Sequence, residues 1–462
     1  MKPMQNPMPK PMQTPVHEPG QQTDALSAKQ AAQLLGVSLA TLYSYVSRGL
    51  LASHLHTGQR AKRYEREEVL RLLARNNDHK RAGSAAESAI AWGVPVLESR
   101  ITLVENGQLY YRGQAVNALA ASHTLEQTAL LLWDCVDENV FYTAAQWLAT
   151  GDTPDNPDNP TRPTLAAWPG LPAASASASA SLAPIARAMA LLPTMAESVA
   201  TSSLATHEKA ACHMQLLASA LLGTPPAGAA LPFHRQLAAA WQLDDATANL
   251  LRAALVLCAD HELNVSTFTV RCVASTGANL GMVLCAGLAA LSGPKHGGES
   301  VRVGQFLGRG LACPATDRAG FCAKYLQNHD TREGFSATLP GFGHPLYPHG
   351  DPRAMVLMAM LAQQPALPQH PALLEFAKAG AAVCGQAINI DFALVALEIA
   401  AGLPIGAAQI LFALGRAAGW LAHALEQVET GSLIRPRARY VGKFTLGKFA
   451  VGRFDGDTAP LA

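Results

Sequence analysis

Charge is scarce in this chain. Only 15% of its 462 residues are Asp, Glu, Lys or Arg, while 49% are apolar. That balance excludes a solvated, disordered polymer and demands a large buried surface. The net charge is +1 at pH 7, so the molecule as a whole has no general attraction to nucleic acid or to a membrane. The eight cysteines form no CxxC pair, which argues against a disulfide framework and for reduced thiols in a cytoplasmic protein. Cys258 and His261 stand at a metal-like spacing, but without a second pair no metal is expected there. Long apolar runs are missing too. The stretch 279–291 is interrupted by glycine and falls short of the roughly 20 residues that cross a bilayer. Residues 1–22 interleave Met, Pro and Gln without the apolar centre of a signal peptide.

What is present is divided into parts. A chain of this length exceeds the roughly 250–300 residues at which single cores stop growing. Residues 1–23, rich in Pro and Gln, read as a disordered tail. From 24 to 76 the pattern becomes that of a small domain. Ser27 can cap a first helix, Gly36 breaks it, and Ser38 can cap a second helix running to Arg48 and Gly49. Arg60, Lys62 and Arg63 then cluster as a basic hairpin would place them. Ten Lys and Arg against five Asp and Glu give residues 24–82 a charge of +5, so a basic appendage precedes an acidic body. The run "LGVSLATLYSYVSRGLL" followed by "KRYEREEV" resembles the winged helix-turn-helix of mercury-resistance-type regulators and phage excisionases. That resemblance implies DNA as a partner, with Thr41, Tyr43, Ser44 and Arg48 near bases or phosphates and Lys62 and Arg63 on the backbone. The same fold also serves as an adaptor that contacts protein.

A polar linker at 77–89 leads into a body dominated by Ala/Leu-rich helical spacing. Asp-Asn-Pro repeats and alternating Ala-Ser make 151–183 a surface insertion, since such composition cannot offset its own ordering entropy. Ile410, Leu414, Ala417, Leu421, Leu425 and Val428 follow steps of four and three, which predicts one apolar face of a long helix. Within the body only 94–112 reads as strand and turn. The expected class is mainly α.

Joining a thioester's carbon to a ketone needs a carboxylate to take a carbon-bound proton, and donors for both carbonyl oxygens. Candidates occur in "DHELNVSTFTVR" (260–271), "GPKHGG" (293–298), "PGFGHPLYPHGDPR" (340–353) and "NIDF" (389–392). Two basic segments follow, "GRAAGWLAHALEQ" (415–427) and "LIRPRARYVG" (433–442). In this order, with "YYRG" at 110–113 ahead of them, they resemble the citrate synthase family from about Trp92 to Gly442. The resemblance implies a homodimer with a two-domain all-α fold: a large domain over 90–298 and 405–462, and a smaller mobile domain over 299–404. It implies condensation of acetyl-CoA with oxaloacetate, with no metal or bound cofactor. By the same resemblance His296 stabilises the enol of the thioester, His344 polarises the oxaloacetate carbonyl and Asp391 removes the methyl proton. His261, Arg353, Arg416 and Arg435 would bind oxaloacetate, the last supplied by the partner subunit.

The physics sets conditions on that reading. An Asp with an ordinary pKa of ~3.9 is a feeble base, and a helix start behind Asn389 lowers it further, so burial has to win. Glycines beside His296 suggest close backbone approach to something. The chain also departs from the family's usual "GPLHGGAN" at Lys295, Glu299 and Ser300. It carries Pro345 where many members have Arg or Lys, and Ala393-Leu394-Val395 where many have Tyr-Ser-Gly. Propionyl-CoA as substrate, giving 2-methylcitrate, is one alternative. A transcription regulator whose body senses oxaloacetate or acyl-CoA is another.

Overall fold

The computed structural model describes residues 25–35, 37–47, 51–55, 62–66, 68–69, 97–150, 182–226, 231–328 and 338–438. The tail at 1–23, the linker at 77–89, Arg48 and nearly all of the 151–183 insertion lie outside these residues. Two units compose the chain, 1–98 and 99–462.

The first unit is a small sheet with two helices. Ala28–Leu35 and Leu39–Ser47 are helical, and the strand Lys62–Glu65 lies between Ala25–Ser27 and His54–Leu55, antiparallel to both. Both anticipated caps form. The Ser27 N–H donates to Gln30 Oε1 at 3.0 Å and the Gln30 N–H to Ser27 Oγ at 3.4 Å, a reciprocal capping box, while Ser38 Oγ accepts the Thr41 N–H at 3.2 Å. Ala31, Leu35, Leu42 and Tyr64 are buried together. The hairpin of the expected wing is present, but the strand Ala25–Ser27 is an addition. Three residues carry no readable alternation, and the partner of this strand lies far along the chain.

Among the described residues, the second unit is helical apart from a three-stranded antiparallel sheet, Thr102–Glu105, Gln108–Tyr111 and Gln114–Ala115. Its two tight turns hold Asn106-Gly107 (φ 51° and 73°) and Arg112-Gly113 (φ 43° and 79°) in the left-handed region, as two-residue hairpins require. Tyr111 ties this sheet to the site described below. Its buried hydroxyl donates to Asp260 O and accepts the Asp260 N–H, each at 3.0 Å.

The helix Ala407–Thr430 is the hub. It packs on Leu125–Trp133, Thr206–Leu222, Asp245–Cys258, Val265–Ala274, Leu280–Leu291 and Ile390–Ala400. The sequence predicts one apolar face, yet this helix is buried on nearly every side from Ala407 to Gln427, and Val428 is 57% exposed. Alanine and glycine permit this: a side chain too small to define a face lets neighbours approach from every direction. A Cβ on Gly415 would stand 2.7 Å from Leu255 O, and one on Gly287 would stand 2.7 Å from the Trp420 ring. Several polar groups inside the packing are paired. Arg271 meets Glu426 at 2.7 Å and Gln427 at 2.9 Å, and His423 reaches Asp260 at 3.3 Å. Helices between 299 and 400 pack largely on one another and meet the hub through Ile390–Ala400. No helix among the described residues is long and apolar enough to cross a membrane.

Candidate active site

Asp260, His261 and Glu262 form the corner between the helices Asp245–Cys258 and Val265–Ala274. The reversal places Glu262 in the left-handed region (φ 54°), and Asn264 caps the second helix by accepting the N–H groups of Ser266 and Thr267, each at 3.1 Å. His261 is 7% exposed. Its Nε2 lies 2.9 Å from Tyr347 Oη, and its ring meets His344 edge-on with centroids 5.1 Å apart. Burial holds the His261 imidazole well below its usual pKa, with the charge of Arg353 and then the neighbouring His344 acting the same way. The His344 ring is pushed down to about 4, again by burial first and Arg353 second. Because the Leu346 N–H donates to His344 Nδ1 at 3.2 Å, the neutral ring carries its proton on Nε2, which is then a donor.

Tyr347 also stacks against Arg353, whose guanidinium carbon lies 5.6 Å from the ring centre. Arg353 is 2% exposed and forms a two-pronged pair with Asp351, Nη2 at 2.8 Å and Nε at 3.0 Å. Asp351 Oδ2 further accepts the Ile390 N–H at 3.1 Å, which fixes the start of the helix bearing Asp391. The second guanidinium, on Arg416, is 1% exposed; its Nε donates to Cys258 O at 2.9 Å, and its Nη2 has no hydrogen-bond partner among the described residues.

Asp391 sits in the first turn of Ile390–Ala400, behind Asn389, which caps that helix by accepting the Asp391 N–H at 3.1 Å and the Phe392 N–H at 3.3 Å. The helix start favours the ionised form, but desolvation wins. The Asp391 side chain keeps some surface open, yet lies deep enough that burial, followed by the negative charge of Glu299, pushes its carboxyl up to about 7 against the opposing pull of Arg353.

His296 occupies the loop after Leu280–Leu291. Its Nε2 lies 2.8 Å from Ser266 Oγ, which donates to Asn264 Oδ1 at 2.7 Å and accepts the Trp420 indole N–H at 3.2 Å. Ser266 has a single proton, so His296 Nε2 donates to Oγ while the hydroxyl serves Asn264, and only a hydroxyl turned to His296 leaves the neutral ring with its proton on Nδ1, free to donate. Burial, then Arg416, brings this imidazole down to about 4. The adjacent glycines have an internal explanation. A Cβ on Gly297 would stand 2.7 Å from Leu291 O, and one on Gly298 would stand 2.9 Å from Gly293 O. The loop is folded tightly on its own backbone, and no ligand is needed to account for them.

Of the residues singled out in the sequence, His261, His344 and Arg353 are linked through Tyr347, while Asp391 and Arg416 feel the charges of this same cluster. His296 joins through Phe412, whose ring is 6.2 Å from the imidazole and 4.8 Å from the Arg416 guanidinium carbon. Arg435 does not join them; it is exposed. In the first unit Tyr43 is 52% exposed, Lys62 is exposed and Arg63 half-buried. Thr41 Oγ1 lies 2.9 Å from the capping hydroxyl of Ser38, and the Ser44 side chain is outside the described residues. Sequence reasoning missed Tyr347, Asp351 and Ser266. All three lie inside the quoted motifs, but nothing in their spacing says that an uncharged hydroxyl or a carboxylate spent on an arginine supports the site.

The body is thus a helical protein with one interior cluster in which neutral imidazoles and a high-pKa carboxyl lie among buried guanidinium groups. The family model "citrate synthase, C-terminal domain" matches residues 90–437, so the chain belongs to the citrate synthase family, and a helix-turn-helix model matches residues 25–77. The chain is 36% identical over 195 residues to putative citrate synthase 2 of Mycobacterium tuberculosis, covering 40% of this chain and 49% of that protein. To the citrate synthase of Haloferax volcanii it is 34% identical over 197 residues, covering 41% and 49%. It therefore spans about half the length of the curated relatives it matches. The crystal structure of citrate synthase from Thermotoga maritima superposes with a TM-score of 0.56 at 25% identity, covering 79% of this chain and 98% of that one. The Thermoplasma acidophilum enzyme, solved with carboxymethyl coenzyme A and oxaloacetate, gives a TM-score of 0.61 at 23% identity over the same shares, a likeness of fold alone.

Proposed function

We propose that the body condenses an acyl-CoA, acetyl-CoA in the first instance, with oxaloacetate to give citrate and free CoA. The observation that carries this is the pairing of opposite perturbations in one cluster: Asp391 is pushed up to about 7, while His296 and His344 are pushed down to about 4. A carboxylate near 7 can take a proton from the carbon beside a thioester at neutral pH, and neutral imidazoles can donate hydrogen bonds without a charge of their own. In this reading Asp391 removes the methyl proton while His296 donates to the thioester oxygen, spreading the developing charge as an enol or enolate. That carbon attacks the ketone of oxaloacetate, whose oxygen accepts from His344 Nε2 and becomes the new hydroxyl. Water then cleaves the thioester, giving the third carboxyl group and CoA.

Arg416 and Arg353, with His261, would hold the two carboxylates of oxaloacetate, and the exposed Arg435 would serve the site of the partner in a homodimer. We further propose that 299–404 moves as a smaller domain to exclude water from the enolate; the packing of its helices on one another supports this. The decisive assay is CoA release by purified protein given oxaloacetate with acetyl-CoA or with propionyl-CoA. No release above the uncatalysed rate with either would end the reading, and faster release with propionyl-CoA would make the product 2-methylcitrate. Arg416→Gln is expected to raise KM for oxaloacetate on the order of 10- to 100-fold, since a hydrogen bond to a buried charge contributes roughly 1.5–3 kcal/mol. An unchanged KM would remove Arg416 from the acceptor site.

For the first unit we propose DNA binding through the helix Leu39–Ser47 and the Lys62 hairpin. The charge of +5 over residues 24–82 and the exposure of Tyr43 and Lys62 support this. Lys62→Ala with Tyr43→Ala should weaken binding to duplex DNA. It should also flatten the dependence of log K on log salt by about 0.9 for each phosphate that is no longer neutralised. Equal affinities and slopes in fluorescence anisotropy would favour a protein-contacting adaptor.

A further inference from the structure

Glu299 is one of the places where this chain leaves the family's usual pattern, and it contacts the His296 and His344 segments directly and the Asp391 helix through Gly341. It opens the helix Glu299–Leu311, and its backbone N–H donates to His296 O at 3.0 Å. Its Oε1 accepts the Gly341 N–H at 3.3 Å, which pins the loop leading to His344. Gly341 O in turn accepts the N–H of Asn389 at 2.9 Å, the residue that caps the Asp391 helix. Gly341 (φ 81°) has little room to shift, because a Cβ there would stand 3.0 Å from the Phe392 Cβ and 3.2 Å from Val303 Cγ2. The other oxygen of Glu299 meets Arg302 at 2.6 Å, in a pair that remains partly open to solvent.

The charges around Asp391 are unevenly matched. Arg353 and Arg416 are buried cations that favour its ionised form. Asp351 opposes them but is tied to Arg353 by two hydrogen bonds. Arg302 sits on the far oxygen of a partly solvated pair, where its own field is screened. Glu299 is therefore the carboxylate best placed to balance the guanidinium groups, and among the charged neighbours it has the largest influence on Asp391.

We propose that Glu299 is a positioning residue that holds the His296, His344 and Asp391 segments in register and offsets the charges of Arg353 and Arg416 at the Asp391 carboxylate. This rests on the reading of Asp391 as the base. It assigns a working role to a residue that replaces the alanine of the "GPLHGGAN" pattern.

Two variants separate charge from contact. Glu299→Gln keeps an oxygen for the Gly341 N–H and loses the charge; Glu299→Ala restores the family's residue and loses both. In the pH profile of kcat/KM the acid limb, with its midpoint near 7 in the wild type, is expected to move down by about one pH unit in both variants. Glu299→Ala should also lose more kcat than Glu299→Gln. A lowered kcat with an unmoved midpoint in Glu299→Gln would reduce Glu299 to a structural contact and overturn the proposal.

A second measurement needs no turnover. Asp391 has a folded pKa near 7 against ~3.9 unfolded, so its protonated form favours the fold at low pH. That contribution is lost as pH rises through about 7. The gain in Tm on Asp391→Asn should thus grow with pH and level off near 7, and in the Glu299→Gln background it should level off at lower pH. Levelling at the same pH in both backgrounds would overturn the charge coupling even if the enzyme is active. A shifted plateau in a protein that releases no CoA would preserve the coupling and reject the reaction.

Discussion

Asp391→Asn is expected to lower kcat by on the order of 10³-fold or more, with a much smaller change in the KM for oxaloacetate. An amide matches the shape of the carboxyl group but cannot accept the carbon-bound proton, and a positioned base contributes roughly 10²–10⁴ in rate. The sign of the pH dependence follows from burial. With its carboxyl pushed up to about 7, Asp391 is increasingly protonated below that pH, so wild-type turnover should rise through neutrality and then reach a plateau. The two imidazoles are already neutral over this range, having been brought down to about 4, and should add no inflection there. Steady-state kinetics from pH 5.5 to 9 would check both points. An Asn variant within tenfold of the wild type would mean that another group takes the proton.

Gly419→Ala is the structural counterpart and should disturb folding and binding together. The hub helix touches the corner of Asp260, His261 and Glu262 at this glycine. Its N–H donates to Ala259 O at 2.9 Å, and a Cβ would fall 2.4 Å from that oxygen and 2.3 Å from Asp260 Oδ1. The Ala259 carbonyl is backbone and cannot swing away, and the Asp260 carboxyl group is held by His423 and the Glu262 N–H. Overpacking plus the broken interhelical bond should cost roughly 3 kcal/mol, and a thermal melt should shift down by about 5 °C. Because Asp260 precedes His261, the same variant should weaken oxaloacetate binding. Gly308→Ala, on an exposed helical surface with nothing within 4 Å of the added methyl, should leave Tm unchanged or slightly raised. Equal behaviour of the two variants would show that the helices approach each other less closely at Gly419 than these distances imply.

Much of this was readable before any fold was known. The caps at Ser27 and Ser38, the wing strands and the Ala/Leu spacing of the body are local matters, in which a side chain and its own neighbours decide the outcome. The chemistry was partly readable too. His261, His296, His344, Arg353, Asp391 and Arg416 could be named because their motifs, in this order, resemble the citrate synthase family, and acid–base and anion-binding work calls for those side chains. Other features were beyond its reach. Tyr347 matters because its ring and hydroxyl join His344 and Arg353, its neighbours in the chain, to the distant His261, and a hydroxyl in a motif does not disclose that. The hub helix reads as one-faced because its alanines and glycines carry little signal of burial, although their smallness is the reason neighbours close in on every side.

The order of residues by itself determined which parts of the chain are helical, where a basic module ends and an apolar body begins, and which side chains can do acid–base work. Only the tertiary structure decided what those side chains have become. An aspartate at a helix start would ordinarily be a weak base and a histidine a half-protonated one. Packing removes water from both, and in its absence the neutral forms prevail, so the carboxyl rises to about 7 while the imidazoles fall to about 4. Desolvation is a property of the surroundings, and those surroundings come from segments as much as about 150 residues apart.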